Sequence, residues 1–262
     1  VGLVPFGTTG EALSVGLSSR IKAFKSLIDG GIDPNIMIPG TGLPSLEDTA
    51  YLSSTMLDLG ARAVMVLPPF FYKDIFEEGL FDYFSKLIIL IGKKAKIIIY
   101  HIPQISNIEF SPKLVRYLHQ HFPEQIIGIK DSSGDWQNTA SLLAIDNFYV
   151  YPGSELLLKN ALPAGIPGCI SACANINSKQ IAEIIDYYDA GQYDDFEKSY
   201  RYAVAFRAII QRFPMIQILK QIQAHKTNDH RWATVCPPLL PASNKKYESI
   251  RTLLTPEFEH LL

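Results

Sequence analysis

The sequence predicts an α/β chain wound as a (β/α) barrel with a helical C-terminal extension. Three observations predict it. Short apolar runs rich in Ile and Val recur roughly every thirty residues, each followed by a segment with helical spacing, which is the rhythm of a parallel sheet. The residues fitted for chemistry gather at the C-terminal ends of several different runs, where a barrel assembles its site. After residue 176 the strand signal ends, and helical periodicity continues to residue 254.

Seven apolar runs read as strands: residues 2–6, 35–39, 63–68, 96–102, 126–130, 148–152 and 168–172. Most are almost continuously apolar, as strands covered on both faces are. Such a series fits a closed barrel or an open doubly wound sheet. Gly7-Thr8-Thr9-Gly10-Glu11, Tyr100, Lys130 and Ser154-Glu155 at the ends of different runs favour the barrel. Beyond the last run the helical pattern breaks at Phe213-Pro214 and Pro237-Pro238. The expected division is a barrel over residues 1–192, then the last barrel helix and a helical extension over residues 193–262. No linker is long enough to separate two independent domains.

Composition narrows the function classes. A chain of 262 residues, 47% hydrophobic and 19% charged, can bury a large core as one main domain. A net charge of -2 with scattered lysines and arginines offers no field for nucleic acid. The cysteines, Cys169, Cys173 and Cys236, are odd in number and lack paired zinc spacing, which points to a reducing cytoplasm. The longest apolar stretch, residues 87–91, is too short to span a bilayer, and residues 1–7 carry no basic leader. The expected partner is a small molecule, not nucleic acid or membrane.

The sharpest chemical feature is Lys130, which ends an apolar run and precedes the polar turn Asp131-Ser132-Ser133-Gly134-Asp135. An amine facing a barrel interior is costly to keep charged, so desolvation leaves it nucleophilic and ready to form an imine with a ketone. The competing reading is a lysine that snorkels to the rim or pairs with Asp131. Tyr100 ends the preceding run and can shuttle protons beside such an amine, although a lone tyrosine is more often core filler. His101 alternates to the opposite face and reads as structural. The turn from Gly7 to Glu11 has free amides and the Thr8 and Thr9 hydroxyls, a nest suited to a carboxylate. It lacks the ending of a nucleotide P-loop and the spacing of a dinucleotide fingerprint. His119 and His121, near the end of a helix, read as surface residues, and Cys169 and Cys173 read as core, so neither a metal nor another cofactor is expected.

These segments, in this order and spacing, resemble the family of dihydrodipicolinate synthase and N-acetylneuraminate lyase. The likeness rests on Gly7-Thr8-Thr9-Gly10-Glu11, on Tyr100-His101-Ile102-Pro103 and on Gly128-Ile129-Lys130-Asp131-Ser132-Ser133-Gly134-Asp135, and it extends over essentially the whole chain. It implies a (β/α)8 TIM barrel, a metal-independent class I aldolase, and pyruvate held as a Schiff base on Lys130. It further implies Tyr100 as proton shuttle, Thr9 in the catalytic set with Lys130 and Tyr100, Gly7, Thr8 and Thr9 as the carboxylate site, and Ile170 bordering pyruvate through its backbone. Homotetramers or dimers are expected by the same analogy. The family's barrel begins with a βα unit ahead of the Gly-Thr-Thr-Gly turn, so the first unit is expected to be missing from this chain.

Departures from the family pattern bear on the second substrate. Ile105 stands where the synthase carries an arginine for the semialdehyde carboxylate, and Phe71, beside Tyr72, stands where it has a relay tyrosine. Glu155 is one acid where the sialic acid lyase uses two, and Ala172 replaces a serine. Ser132 and Glu155 remain available to hydroxyls of a shorter substrate. The favoured reaction is therefore cleavage or condensation of a 2-keto-3-deoxy sugar acid or a related 4-hydroxy-2-oxo acid, with a small aldehyde as the other partner. The rivals are dihydrodipicolinate synthase itself, a dehydratase working through the same imine, and a non-catalytic keto-acid-binding barrel.

Overall fold

The computed structural model describes residues 2–254 and 257–261. In chain order the main elements are α1 (Leu17–Asp29), α2 (Leu46–Asp58), β1 (Val64–Val66), α3 (Glu77–Ile91), β2 (Ile97–His101), α4 (Pro112–His121), β3 (Ile126–Asp131), α5 (Trp136–Leu143) and β4 (Tyr149–Pro152). They are followed by α6 (Ala174–Asp189), α7 (Tyr193–Ile210), α8 (Met215–Thr227) and α9 (Asn244–Leu254). Local chemistry sets several helix starts: the Ser45, Ser111 and Asp135 side chains accept from amides of the first turns of α2, α4 and α5, and Pro112 opens α4 where its missing N–H costs nothing.

The strands form a parallel sheet in the order β1-β2-β3-β4. Further segments continue it on both sides. Gly40 bridges Met65 and Leu3 bridges Met37, both in parallel sense. On the far side the Ile170 amide donates to the Pro152 carbonyl at 3.0 Å. The predicted runs thus lie side by side in chain order, which is barrel topology.

The expectation of seven full strands is corrected: 2–6 and 35–39 pair through single bridges, and 168–172 forms no strand. Backbone chemistry explains it. Pro5 and Pro39 have no amide hydrogen to give, Phe6 turns to φ 60°, and residues Pro34–Ile36 close a 3-10 turn. Gly168 at φ 138° bends the last run out of ladder geometry.

Alternation then sorts the side chains. Val64, Val66, Ile97, Ile99 and Ile129 face the helices and pack with Phe24, Leu52, Phe84 and Leu87 in the main core. Met65 and Tyr100 point the other way, into a smaller interior cluster with Ile102, Val4, Ile38 and Leu67. Around α7, α8 and α9 a separate core gathers Phe206, Ile218, Ile222, Tyr247 and Ile250. The helical tail breaks at Phe213-Pro214 and across Pro237-Pro238, as the periodicity predicts. Among the described residues no helix is long and apolar enough to cross a membrane.

Candidate active site at the strand ends

Lys130 is the penultimate residue of β3 and is 8% exposed. Its register partner on β2 is Tyr100, so both side chains leave the sheet on the interior face. Lys130 Nζ lies 4.2 Å from the centroid of the Tyr100 ring. The Tyr100 hydroxyl is in turn 3.0 Å from Thr8 Oγ1, with either oxygen able to donate. An amine, a phenol and a hydroxyl from three different parallel segments therefore stand in a row at the strand C-termini.

The alternative of a Lys130–Asp131 pair is not what the structure has. Asp131 faces the helices, where Oδ1 lies 3.1 Å from His101 Nδ1 and accepts from the Ser133 amide at 3.0 Å. Its Oδ2 accepts from Thr139 Oγ1 at 2.6 Å and from Asn138 Nδ2 at 3.1 Å. Burial alone would raise the Asp131 pKa; hydrogen bonds from His101, Thr139 and Ser133 outweigh it and hold the carboxyl at about 2. The charge clamps the turn that follows Lys130 and so fixes the backbone carrying the amine. His101 belongs to this clamp, edge-on to Phe110.

The turn bearing Gly7, Thr8 and Thr9 is held from behind. Arg20, 1% exposed on α1, donates through Nε to the Val15 carbonyl at 3.0 Å, through Nη1 to that of Gly40 at 3.5 Å, and through Nη2 to that of Ala12. Gly40 is needed here because a Cβ would sit 2.0 Å from the Phe6 carbonyl oxygen. Glu11, at φ 54°, closes the turn and joins it to the helical tail, pairing with Lys220 of α8 and accepting from the Cys236 amide.

A cavity of about 250 Å³ opens beside this row. Its wall includes Thr8, Tyr100, Leu13, Leu67, Ile105 and Leu239. Lys130 is not in the wall itself; it meets the cavity through Tyr100, whose hydroxyl faces Thr8 there.

Ser132 and Glu155 lie on other strand ends. Ser132 follows β3, and a Cβ on Gly153 would fall 2.0 Å from its Oγ, so only glycine leaves that hydroxyl its place. Glu155 is fully buried: Oε2 accepts from Arg207 Nη1 at 3.1 Å and from the Ser171 hydroxyl, while Oε1 has no partner among the described residues. Burial first, then the Glu155 charge, pushes the Cys169 thiol up to about 12, and Lys130 and Arg207 act against that. The Ile170 amide is committed to Pro152, which leaves its carbonyl as the backbone group a ligand can meet. His119 packs inward, its nitrogens 2.8 and 3.1 Å from the Ile126 and Asp146 carbonyls, contrary to its reading as a surface residue.

Sequence reasoning missed Arg20, Arg207, Ser171 and Lys220. Arg20 had a signal, since it sits three residues after Leu17 and four before Phe24 on the apolar face of α1. Arg207 and Lys220 had none, because only the fold brings α7 and α8 against acids more than fifty residues away.

The fold and this row define a barrel enzyme with an interior lysine at a strand end. Comparison with known proteins gives the family: the sequence matches the dihydrodipicolinate synthetase family over residues 1–257, and the chain belongs to it. It is 30% identical to an uncharacterized DapA-like lyase of Chloroflexus aurantiacus over 95% of this chain and 83% of that protein. It is also 30% identical to a 4-hydroxy-tetrahydrodipicolinate synthase of Thermus thermophilus, over 94% of this chain and 82% of the other. The crystal structure of dihydrodipicolinate synthase from Agrobacterium tumefaciens superposes with a TM-score of 0.88 at 31% identity, covering 97% of this chain and 86% of that one. The chain is accordingly an α/β barrel enzyme of the class I lyase and aldolase type.

Proposed function

We propose that this enzyme cleaves or forms a 4-hydroxy-2-oxo acid, the 2-keto-3-deoxy sugar acids among them, through an imine of pyruvate on Lys130. The observation that carries the proposal is the row Lys130, Tyr100 and Thr8, with Nζ at 4.2 Å from the Tyr100 ring and the Tyr100 hydroxyl 3.0 Å from Thr8. In the cleavage direction Lys130 attacks the C2 ketone, water leaves, and the iminium becomes the electron sink. Tyr100 takes the C4 hydroxyl proton, the C3–C4 bond breaks, and an aldehyde departs from the enamine of pyruvate. Thr8 passes that proton on, while Gly7, Thr9 and the neighbouring amides hold the pyruvate carboxylate. The Ile170 carbonyl borders pyruvate, and Ser132 and Glu155, whose Oε1 is unpartnered among the described residues, bound the substrate from neighbouring strand ends.

A second reading, dihydrodipicolinate synthase, is supported by the name of the Thermus relative. Ile105 in the cavity wall speaks against it, because a semialdehyde carboxylate needs a cationic partner there. We also propose a homo-oligomer, dimer or tetramer, in the cytoplasm. The exposed aromatic group Phe71, Tyr72 and Phe76 after β1 supports assembly, and free Cys169, Cys173 and Cys236 support a reducing compartment. Borohydride reduction with pyruvate, followed by peptide mapping, tests the imine: the expected adduct is on Lys130, and an adduct elsewhere or none contradicts it.

A further inference from the structure

We infer that the aldehyde partner is uncharged and apolar, so that the 4-hydroxy-2-oxo acid carries an aliphatic or aromatic substituent on C4 rather than a polyol or a carboxylate. The inference rests on the imine reading above and narrows it. On that reading Tyr100 meets the C4 oxygen, and both Tyr100 and Thr8, joined through their hydroxyls, line the cavity. Whatever is attached to C4 therefore extends into that cavity. Leu13, Leu67, Phe70, Ile105, Ile216 and Leu239 present hydrocarbon there. Among the described residues none in its wall is Lys, Arg or His. Its one charged residue, Glu11, is already held by Lys220 and the Cys236 amide.

A carboxylate in such a space would lose its water without gaining a cation. A polyol would find, besides Tyr100 and Glu11, only the hydroxyls of Thr8, Ser14 and Ser106 among the described side chains of the wall. Of these, Thr8 is bonded to Tyr100 and Ser106 to the Ile102 carbonyl, so most of the polyol's own hydroxyls would stay unpaired. An alkyl chain or ring loses only unfavourable hydration, and a cavity of about 250 Å³ accommodates a chain of several carbons. In the condensing direction, C3 of the Lys130 enamine attacks the aldehyde carbon. The carbonyl π pair moves onto the aldehyde oxygen, which becomes the C4 oxygen and takes the Tyr100 proton. Water then hydrolyses the iminium, releasing the product and the free amine, and Tyr100 recovers a proton from solvent through Thr8.

The test measures condensation of pyruvate with hexanal, succinic semialdehyde and D-glyceraldehyde by mass spectrometry of the products, after borohydride trapping has located the pyruvate adduct. The expected result is a kcat/KM for hexanal at least tenfold above each of the others. Ile105→Arg, which puts a cation in a partly exposed part of the wall, should raise the value for succinic semialdehyde at least tenfold and lower that for hexanal. Parity, or a preference for either polar aldehyde, with the adduct on Lys130 intact, overturns the apolar assignment and leaves the imine standing. No adduct on folded protein overturns both.

Discussion

The cavity side built by Leu13, Leu67 and Ile105 is hydrocarbon, whereas a second side, built at another strand end by Glu155 and Ser171, buries an ion pair with Arg207. The two sides differ in what a substitution disturbs. The apolar side has little internal bonding to lose, so changes there fall on whatever occupies the cavity. The polar side is a closed set in which Ser171 and Arg207 both serve Glu155 Oε2, so changes there fall first on the fold. The row Lys130, Tyr100 and Thr8 is distinct from both, and substitutions there fall on chemistry.

This division orders the expected outcomes. Lys130→Ala should abolish turnover, since no other group in the row can form an imine. Its denaturation midpoint should stay near that of the parent, because the Lys130 side chain has no ion pair or hydrogen bond among the described residues; residual activity near the parent level contradicts its role. Arg207→Ala leaves Glu155 buried without its cation and should cost about 3–5 kcal/mol in urea unfolding. A loss under about 1 kcal/mol would show that the two sides do not differ as described. Tyr100→Phe keeps the packing and removes the hydroxyl beside Thr8, so kcat should fall by roughly a hundredfold, equivalent to about 2.7 kcal/mol, with little change in stability.

Asp131 adds a pH dependence that belongs to neither side. Its carboxyl is held at about 2 against an ordinary value of 3.8, so the folded state binds its proton more weakly than the unfolded chain does. The resulting stability, roughly 2 kcal/mol, is fully present above the ordinary value and is lost as pH falls from about 4 toward 2. Asp131→Asn should remove that acid-range slope from unfolding curves. The smallest stability effect is expected for Ile105→Arg, within about 0.5 kcal/mol, because Ile105 is 59% exposed. Its aldehyde preference should nevertheless move, which is the sharpest contrast with Arg207→Ala.

Much of this was legible in the sequence because it rests on local pattern. The runs at 63–68, 96–102, 126–130 and 148–152 alternate or persist as buried strands do, and each appears as a strand, shortened or lengthened by a residue or two at its ends. Tyr100, Lys130 and the turn from Gly7 to Glu11 stood out as polar residues ending apolar runs. What pattern did not carry was pairing strength: Pro5, Pro39 and Gly168 weaken three runs by removing donors or bending the chain. Nor could it show that Glu155 is spoken for by Arg207, or that Glu11 meets Lys220, because those partners meet only after the tail folds back. The cavity wall is invisible for the same reason, since Leu13, Leu67, Ile105 and Leu239 come from four separate parts of the chain.

The measurement that bears most directly on the central claim is the site of the pyruvate adduct. Intact-protein mass spectrometry after borohydride reduction with pyruvate, followed by peptide mapping, should show one pyruvate-sized addition on Lys130 and none in Lys130→Ala. Full modification at another lysine, or an unmodified chain that is folded by circular dichroism, would contradict it.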